Sequence, residues 1–166
     1  MSIYILDGYN VIYAVPELKK KLDQSLEAAR DGLLGCCAGL SGRRGDIQRI
    51  YVVFDGNEDF AHLSNCRHDR ISVLFTRQKE EADDRILELI RKDTGRHSFI
   101  IVSNDNYVFN NSKAHGAKVI SVSEFYALVE KPQKGNRKDK IEIPNKALSA
   151  DRAKKITEEY RKHLGI

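Results

Sequence analysis

Residues 4–10 read YILDGYN, a short apolar run that ends on one aspartate, Asp7, and breaks at Gly8 before Tyr9 and Asn10. Four later runs share its β-branched, apolar character and also end in polar or turn residues. They are RIYVVF (49–54), ISVLFT (71–76), SFIIVS (98–103) and KVISV (118–122). Together with residues 3–6 they predict five strands, the first of which ends on a carboxylate.

Helical patterns lie between these strands. The stretch from Glu17 to Leu40 spaces its apolar residues for a helix, and EEADDRILELIRKD (80–93) has one apolar face. NYVFNNSKAHG (106–116) predicts a short helix that ends at Gly116, and SEFYALVE (123–130) predicts a helix capped by Ser123. Buried strands that alternate with helices are typical of a parallel sheet covered on both faces. We therefore expect an α/β fold.

Length and composition fit one ordinary domain. The chain has 166 residues, of which 41% are apolar and 31% charged. No apolar stretch approaches the ~20 residues that cross a bilayer, and the N-terminal residues lack a leader pattern, so we expect a cytoplasmic protein without a membrane partner. Three cysteines without CxxC spacing and five scattered histidines argue against a zinc site.

Positive charge is concentrated near the C-terminus. Residues 130–166 carry 11 Lys/Arg against 6 Asp/Glu, whereas residues 1–129 carry 17 against 18. We expect a main domain over residues 1–130 and, over 131–166, a basic linker followed by a helix capped by Ser149. Such segregation is typical of a basic arm beside an anionic partner such as RNA. A solvated tail is an equal alternative.

Acidic residues follow the predicted strands. Asp7, Asp55 and Asp105 come after the first, second and fourth strands, and four acids open the helix after the third: Glu80, Glu81, Asp83 and Asp84. Because functional groups of parallel sheets gather beyond the carboxyl ends of the strands, these acids are expected to share one edge. Their mutual repulsion favours a bound Mg²⁺ or Mn²⁺, which suits phosphodiester displacement.

Each acid also has a purely structural interpretation. An aspartate after a strand often caps a helix or forms a turn, and acids in a first helical turn are favoured by the helix dipole. The common edge favours a site, although membership of Asp55 and Asp84 is left open. A phosphoacceptor receiver domain is disfavoured because Gly8 follows Asp7 and VISVSEF (119–125) supplies no lysine. A phosphatase with Asp7 as nucleophile would need an acid where Tyr9 stands.

Four segments together resemble a known family. ILDGYN (5–10), VVFDG (52–56), FTRQKEEADDRI (75–86) and VSNDNYVFNNSKAHGAKVIS (102–121) match the NYN domain family in order and spacing. The match is closest to its YacP-like branch, within the PIN-like nuclease superfamily, over roughly residues 1–130. The resemblance implies a three-layer α/β/α PIN-like domain with a central, mainly parallel sheet of about five strands, plus the basic C-terminal extension.

The resemblance also implies a metal-dependent ribonuclease site. Its catalytic residues correspond to Asp7, Asn10, Glu80, Asp83 and Asp105, of which the four acids would be ligands of Mg²⁺ or Mn²⁺. Asn10 would orient Asp7 or a water at the metal. Where the family usually has Ser-Asp after the fourth strand, this chain has Asn104-Asp105, which preserves the acid.

RNA is the expected partner, and RNA processing or mRNA decay is the expected process. The resemblance also implies the ribosome as a partner. The oligomeric state is left open. The candidates for gripping RNA are Arg43, Arg44, Arg67, Arg70 and Arg77, together with Lys134, Arg137, Lys138 and Lys140 of the tail. Tyr9 or Tyr107 could stack a base or simply pack. The rival hypothesis is a non-catalytic RNA-binding module, which the acids disfavour because negative charge facing phosphate does not help a binder.

Overall fold

A computed structural model of the chain describes residues 1–56, 69–76, 80–93 and 97–131. All of them lie in one compact unit, Met1–Gln133. The predicted C-terminal helix with its Ser149 cap falls outside the described residues, as does the extension beyond Lys131. The division of the chain at residues 130 and 131 therefore stays a prediction.

Within the described residues, five strands form one sheet and six helices flank it. The strands are β1 (Ser2–Asp7), β2 (Ile47–Phe54), β3 (Ile71–Phe75), β4 (Ser98–Val102) and β5 (Lys118–Ile120). The helices are α1 (Gly8–Ala14), α2 (Pro16–Lys21), α3 (Leu26–Arg43), α4 (Ala82–Lys92), α5 (Asn106–Ala114) and α6 (Val122–Glu130). The strand order is β3-β2-β1-β4-β5, and every neighbouring pair is parallel. None of the helices in these ranges is long and apolar enough to cross a membrane.

Side chains of β1 alternate between two apolar cores, one on each face of the sheet. Tyr4 and Leu6 belong to the core that α1, α2, α3 and α6 cover. Ile3 and Ile5 belong to the core that α4 and α5 cover. Because a strand directs successive residues to opposite faces, a strand rich in apolar residues must be covered on both sides. The predicted three-layer α/β fold is confirmed.

Two helical predictions are corrected near the N-terminus. The chain enters α1 directly from β1, where no helix was expected. The stretch from Glu17 to Leu40 forms two helices rather than one, because Ser25 begins a new one: its Oγ accepts a hydrogen bond from the Ala28 N–H over 2.9 Å. Pro16, which lacks an N–H, occupies the first position of α2, where none is needed.

The cap of α6 is Ser121 and not Ser123. Ser121 Oγ accepts from the Glu124 N–H over 3.2 Å, and the Glu124 carboxylate accepts from the Ser121 N–H over 2.7 Å. This reciprocal capping box requires a serine three residues before a glutamate, which is the spacing of Ser121 and Glu124. Ser123 therefore lies within the first turn of the helix.

Candidate active site at the carboxyl edge of the sheet

The order of the strands reverses at β1, which lies between β2 and β4. In parallel α/β sheets a crevice opens outside the carboxyl ends of the strands at such a point. Asp7 is the last residue of β1, Asp55 directly follows β2, and Asp105 follows β4 by three residues. Strand alternation places Asp7 on the face of the sheet that α4 covers, where Asp83 lies in the first turn of the helix.

Asp7 joins the end of β1 to the start of α1. Its Oδ1 accepts a hydrogen bond from the Asn10 N–H over 3.2 Å and so caps the helix. Gly8 follows as the first residue of α1, where a Cβ would lie 2.3 Å from the Phe54 ring. Glycine is therefore needed here for close packing.

Asp105 has the same relation to α5. Its Oδ1 accepts from the N–H groups of Tyr107, over 2.7 Å, and Val108, over 3.2 Å. Its own N–H donates to Ser103 Oγ over 3.0 Å, which closes the loop between β4 and the helix. The loop therefore fixes the main chain of Asp105, and the first turn of α5 fixes its carboxylate.

Asp55 caps a helix from a different part of the chain. Its Oδ1 accepts from the N–H of Ala82, the first residue of α4, over 2.6 Å. Glu81 occupies the N-cap position of α4 but makes no side-chain cap bond. Gly56, with φ of +132°, turns the chain away immediately afterwards. Asp55 thus attaches the start of α4 to the end of β2, and this contact brings Asp83 to the acidic edge.

Burial and neighbouring charge act together on Asp7. The pKa of Asp7 is raised to about 6, first by burial and then by the charges of Asp55 and Asp105, against the opposing hydrogen bond from the Asn10 N–H. Like charges have this effect only at short range, so the three aspartates of β1, β2 and β4 form one electrostatic cluster.

Asp83 belongs to the same cluster. Its pKa is also raised to about 6, first by burial and then by the charges of Asp7, Asp105, Glu81 and Asp55. Asp55, whose membership was open from sequence, is therefore part of the cluster. The cluster brings together Asp7, Asp83 and Asp105 as predicted.

Two further acids that were considered for the site, Glu80 and Asp84, lie near the start of α4. Glu80 is half-buried two residues before α4, and its assignment as a ligand stays a prediction. Asp84 is exposed in the first turn of α4. Among the described residues, no group of three or more Asp, Glu, His or Cys side chains is arranged to hold a metal ion. The predicted set of four ligands is thus not preassembled in this part of the chain.

Asn10 connects three elements through its side chain and that of Asn104. Asn10 Oδ1 accepts from the Asn104 N–H over 2.9 Å, and Asn104 Oδ1 accepts from the Val122 N–H over 3.0 Å. The backbone of Asn10, and not its side chain, is the group bonded to Asp7. The amide that replaces the family's usual serine at position 104 therefore accepts the first N–H of α6, beside the Ser121 cap.

An open groove adjoins the cluster, with a volume of about 460 Å³. The residues that line it come from α1 and from the ends of three strands: Asp7, Tyr9, Asn10, Tyr13, Ala14, Asp55 and Asn104. The groove therefore combines acids from the ends of two strands with tyrosines of α1.

A buried arginine supports this groove, and sequence reasoning missed it. Arg30 is only 2% exposed and donates a hydrogen bond to the Tyr9 hydroxyl. Its guanidinium lies 5.4 Å from the ring centroids of Tyr9 and Phe54 and 5.7 Å from that of Phe75. The available signal was its spacing, because Arg30 lies four residues before Leu34 on the apolar stripe of α3.

The described arginines that were predicted to grip RNA lie at the opposite edge of the sheet. Arg44 pairs with Asp46 over 2.5 Å just before β2, and Arg43 donates to the Val129 carbonyl over 2.5 Å. Arg70 immediately precedes β3. A five-residue strand separates this edge from the acids by about 16 Å. These arginines hold the fold together and do not line the groove; Arg67 and Arg77 fall outside the described residues.

The fold and the acidic edge together define a nuclease-like α/β domain. The chain belongs to the YacP-like NYN domain family, whose model matches residues 4–165. This match also includes the basic C-terminal segment, which the sequence-based resemblance over residues 1–130 did not.

Relatives from Bacillus subtilis agree with this assignment. The curated protein named "Uncharacterized protein YacP", of strain 168, is 35% identical over 107 residues, which are 64% of this chain and 62% of that protein. The crystal structure of Rae1 (YacP) covers 99% of this chain and 83% of its own, with a TM-score of 0.62 and 26% identity. A tryptophan-to-leucine mutant of it gives 0.65 and 28%, over 99% and 85% of the two chains.

Proposed function

We propose that the protein is a metal-dependent endoribonuclease that hydrolyses RNA phosphodiester bonds in RNA processing or mRNA decay. One observation carries this proposal: Asp7, Asp55, Asp83 and Asp105 converge at the carboxyl edge of the sheet, beside an open groove. Burial, and then the neighbouring negative charges, raise the pKa values of Asp7 and Asp83, so a bound cation would relieve a cost of ionising these carboxylates. Helix capping accounts for Asp7, Asp55 and Asp105 individually, and the cation hypothesis adds a reason for Asp83 beside them.

The donor set fits a hard divalent cation such as Mg²⁺ or Mn²⁺. Carboxylate oxygens are suitable ligands, and Mg²⁺ is usually held by one or two carboxylates with waters and substrate phosphates completing its shell. The site therefore does not need three preassembled protein ligands. One or two of Asp7, Asp83 and Asp105 would bind the ion directly and the rest through its waters, with Glu80 as a further predicted ligand. When bound, the ion would neutralise developing charge in an in-line phosphodiester displacement.

The other residues of the site orient these acids. Asp55 fixes the start of α4 and hence the position of Asp83. Asn10 fixes the loop after β4, which precedes Asp105. In each strand-end aspartate the helix-capping bonds use Oδ1, which leaves Oδ2 as the oxygen to face a cation.

The rival function is an RNA-binding module that does not cut. Such a module would gain from positive charge at the groove, whereas the acids repel phosphate and raise each other's pKa. The binding hypothesis gives no reason for that cost. The nuclease hypothesis does, because the cation that relieves the repulsion also serves the reaction.

Cleavage of end-labelled RNA tests the proposal. Wild-type protein, Asp7→Asn, Asp83→Asn and the control Asp31→Asn are incubated with single-stranded and hairpin RNA, in Mg²⁺, Mn²⁺ or chelator. Asp31 is exposed on α3, so its substitution removes one charge without touching the edge. A parallel set uses the same RNA bound to translating ribosomes, which tests the proposed ribosomal partner.

We expect wild type and Asp31→Asn to cleave in the presence of metal, and the two site variants to lose at least ~100-fold in rate, as befits groups that act in the transition state. Cleavage that persists in chelator, or equal rates for all four proteins, contradicts the mechanism. Binding without cleavage on both free and ribosome-bound RNA favours the binding module.

A further inference from the structure

Tyr13 is an exposed aromatic side chain inside the groove. Its side chain is 58% exposed, and it lines the groove together with Asp7 and Asp55. Tyr13 lies on α1 four residues after Tyr9, so the two side chains share one face of the helix. An aromatic ring that remains largely exposed beside a cluster of acids is not explained by packing of the domain.

Tyr9, in contrast, is fixed from behind. It packs on Phe54 with ring centroids 5.1 Å apart and receives the hydrogen bond of Arg30 at its hydroxyl. Arg30 is itself buried among aromatic rings, so the wall that Tyr9 forms is rigid. The structure therefore distinguishes the two tyrosines of α1. Tyr9 is held in place by Phe54 and Arg30, whereas the exposed ring of Tyr13 is accessible to a ligand.

The residues of the groove select the chemistry of that ligand. Asp7 and Asp55 line the groove and disfavour a free anion, whereas Tyr13 offers an aromatic face. Asn10 and Asn104 contribute amide groups to the same lining. A flat, uncharged ring with polar edges fits these walls, and a volume of about 460 Å³ lies in the range of small-molecule sites.

We infer that the groove is a nucleobase subsite, in which an unpaired base of the RNA stacks on Tyr13 while the adjoining phosphate lies toward Asp7. This inference rests on the proposed ribonuclease function. A base in a duplex is already stacked and paired, so it cannot enter, whereas unpaired bases are commonly stacked on tyrosine rings. Tyr13 is thus a specificity-determining residue that selects unpaired RNA at the point of cleavage.

Binding of a fluorescent RNA tests the subsite without requiring cleavage. An oligoribonucleotide that contains one 2-aminopurine is titrated into the Asp83→Asn protein, because Asp83 is not among the residues that line the groove. Stacking on Tyr13 quenches the 2-aminopurine. The same titration is run with Tyr13→Phe, Tyr13→Ala and, as an exposed aromatic residue that does not line the groove, Phe109→Ala, each in the Asp83→Asn background.

We expect Tyr13→Phe to retain quenching and affinity, and Tyr13→Ala to lose the quenching and bind about 5- to 100-fold more weakly, as removal of one stacking platform does. Phe109→Ala should resemble the parent, and a duplex of the same sequence should bind without quenching. Equal losses for Tyr13→Ala and Phe109→Ala, or unchanged quenching in Tyr13→Ala, overturn the subsite.

The outcomes separate the subsite from the nuclease. If wild-type protein cleaves RNA but Tyr13→Ala changes neither quenching nor KM, the subsite fails and the nuclease stands. If quenching depends on Tyr13 but wild-type protein cleaves no RNA, the nuclease fails and a base-binding groove remains.

Discussion

The side chain of Asn10 binds the main chain of Asn104: its Oδ1 accepts the Asn104 N–H over 2.9 Å, across 94 positions of sequence. This bond joins the first turn of α1 to the loop after β4, at the point where the strand order reverses. Asn104 in turn accepts the Val122 N–H at the start of α6. The relative position of Asp7 and Asp105 therefore depends on an amide that carries no charge of its own.

Replacing Asn10 should loosen this loop. We expect Asn10→Ala to lower the free energy of unfolding by about 1 kcal/mol, the usual net value of one hydrogen bond, and to reduce cleavage by more than the loss of folded protein explains. Urea denaturation and cleavage rates measure the two effects. Asn110→Ala, at an exposed position of α5, is the control and should change neither. Full activity in Asn10→Ala would show that the bond does not position the acids.

Gly8 should tolerate no side chain. A Cβ there lies 2.3 Å from the Phe54 ring, so Gly8→Ala forces the ring or α1 to move and should destabilise the protein by about 1–3 kcal/mol. Gly35→Ala is a matched control within α3, where a Cβ meets nothing within 4 Å. It should stabilise the protein by about 0.5–1 kcal/mol, because alanine is the better helix former. Thermal unfolding of both variants checks the opposite signs, and equal shifts would contradict this packing argument.

We expect Asp55 to act mainly by positioning α4 and less through its negative charge. Asp55→Asn keeps an oxygen that can accept the Ala82 N–H, whereas Asp55→Ala removes it. We expect Asp55→Ala to cost about 1–2 kcal/mol, as loss of a helix cap does, and to lower cleavage. Asp55→Asn should stay close to wild type in both measurements. Equal defects in the two variants would instead indicate that the charge of Asp55 is needed at the cation.

The pKa values of Asp7 and Asp83 predict an unusual dependence of stability on pH. Both are raised to about 6 in the folded protein, above the unfolded value near 4. The folded state therefore binds more protons between pH 4 and 6, and stability of the metal-free protein should fall as pH rises through that window. We expect a loss of about 2 kcal/mol between pH 4.5 and 7.5 from the coupled pair.

Chemical denaturation in chelator at a series of pH values measures this loss. Asp83→Asn should flatten the profile and be more stable than wild type at pH 7.5, because it removes one of the repelling charges. Mg²⁺ or Mn²⁺ should restore stability to wild type at neutral pH and have little effect at pH 4.5, where protons compete for the same oxygens. Stability that rises steadily from pH 4 to 7 in chelator would refute the cluster.

The acidic edge was predictable from sequence because strand ends and helix starts are local signals. Asp7 and Asp105 each follow an apolar run, and the rule for parallel sheets brings such positions together. What sequence could not supply depends on contacts between distant parts of the chain. Asp55 caps α4 across 27 positions, and Arg30 is buried because three aromatic rings meet it.

Local errors have a similar origin. The pattern GYNVIYA (8–14) is too short for a clear helical period, so α1 was missed, and the role of Gly8 depends on the distant Phe54. The cap of α6 was placed at Ser123 although the spacing of Ser121 and Glu124 was available in the sequence. Tyr9 and Tyr107 were considered as stacking residues, but only the path of α1 reveals that Tyr13 faces the groove.

Asp7, Asp55 and Asp105 each cap a helix through Oδ1, in addition to their proposed role at the cation. An inactive variant should therefore lose the charge of the aspartate and keep its capping oxygen. Alanine at position 7 or 105 would release the first turn of α1 or α5 along with the chemistry, so loss of RNA cleavage could simply report a displaced helix. Asparagine keeps the accepting oxygen and removes the charge. Under the proposed ribonuclease function, an Asn-substituted protein should therefore capture RNA intact in the native groove, and would serve as a trap for isolating the RNA that the protein binds.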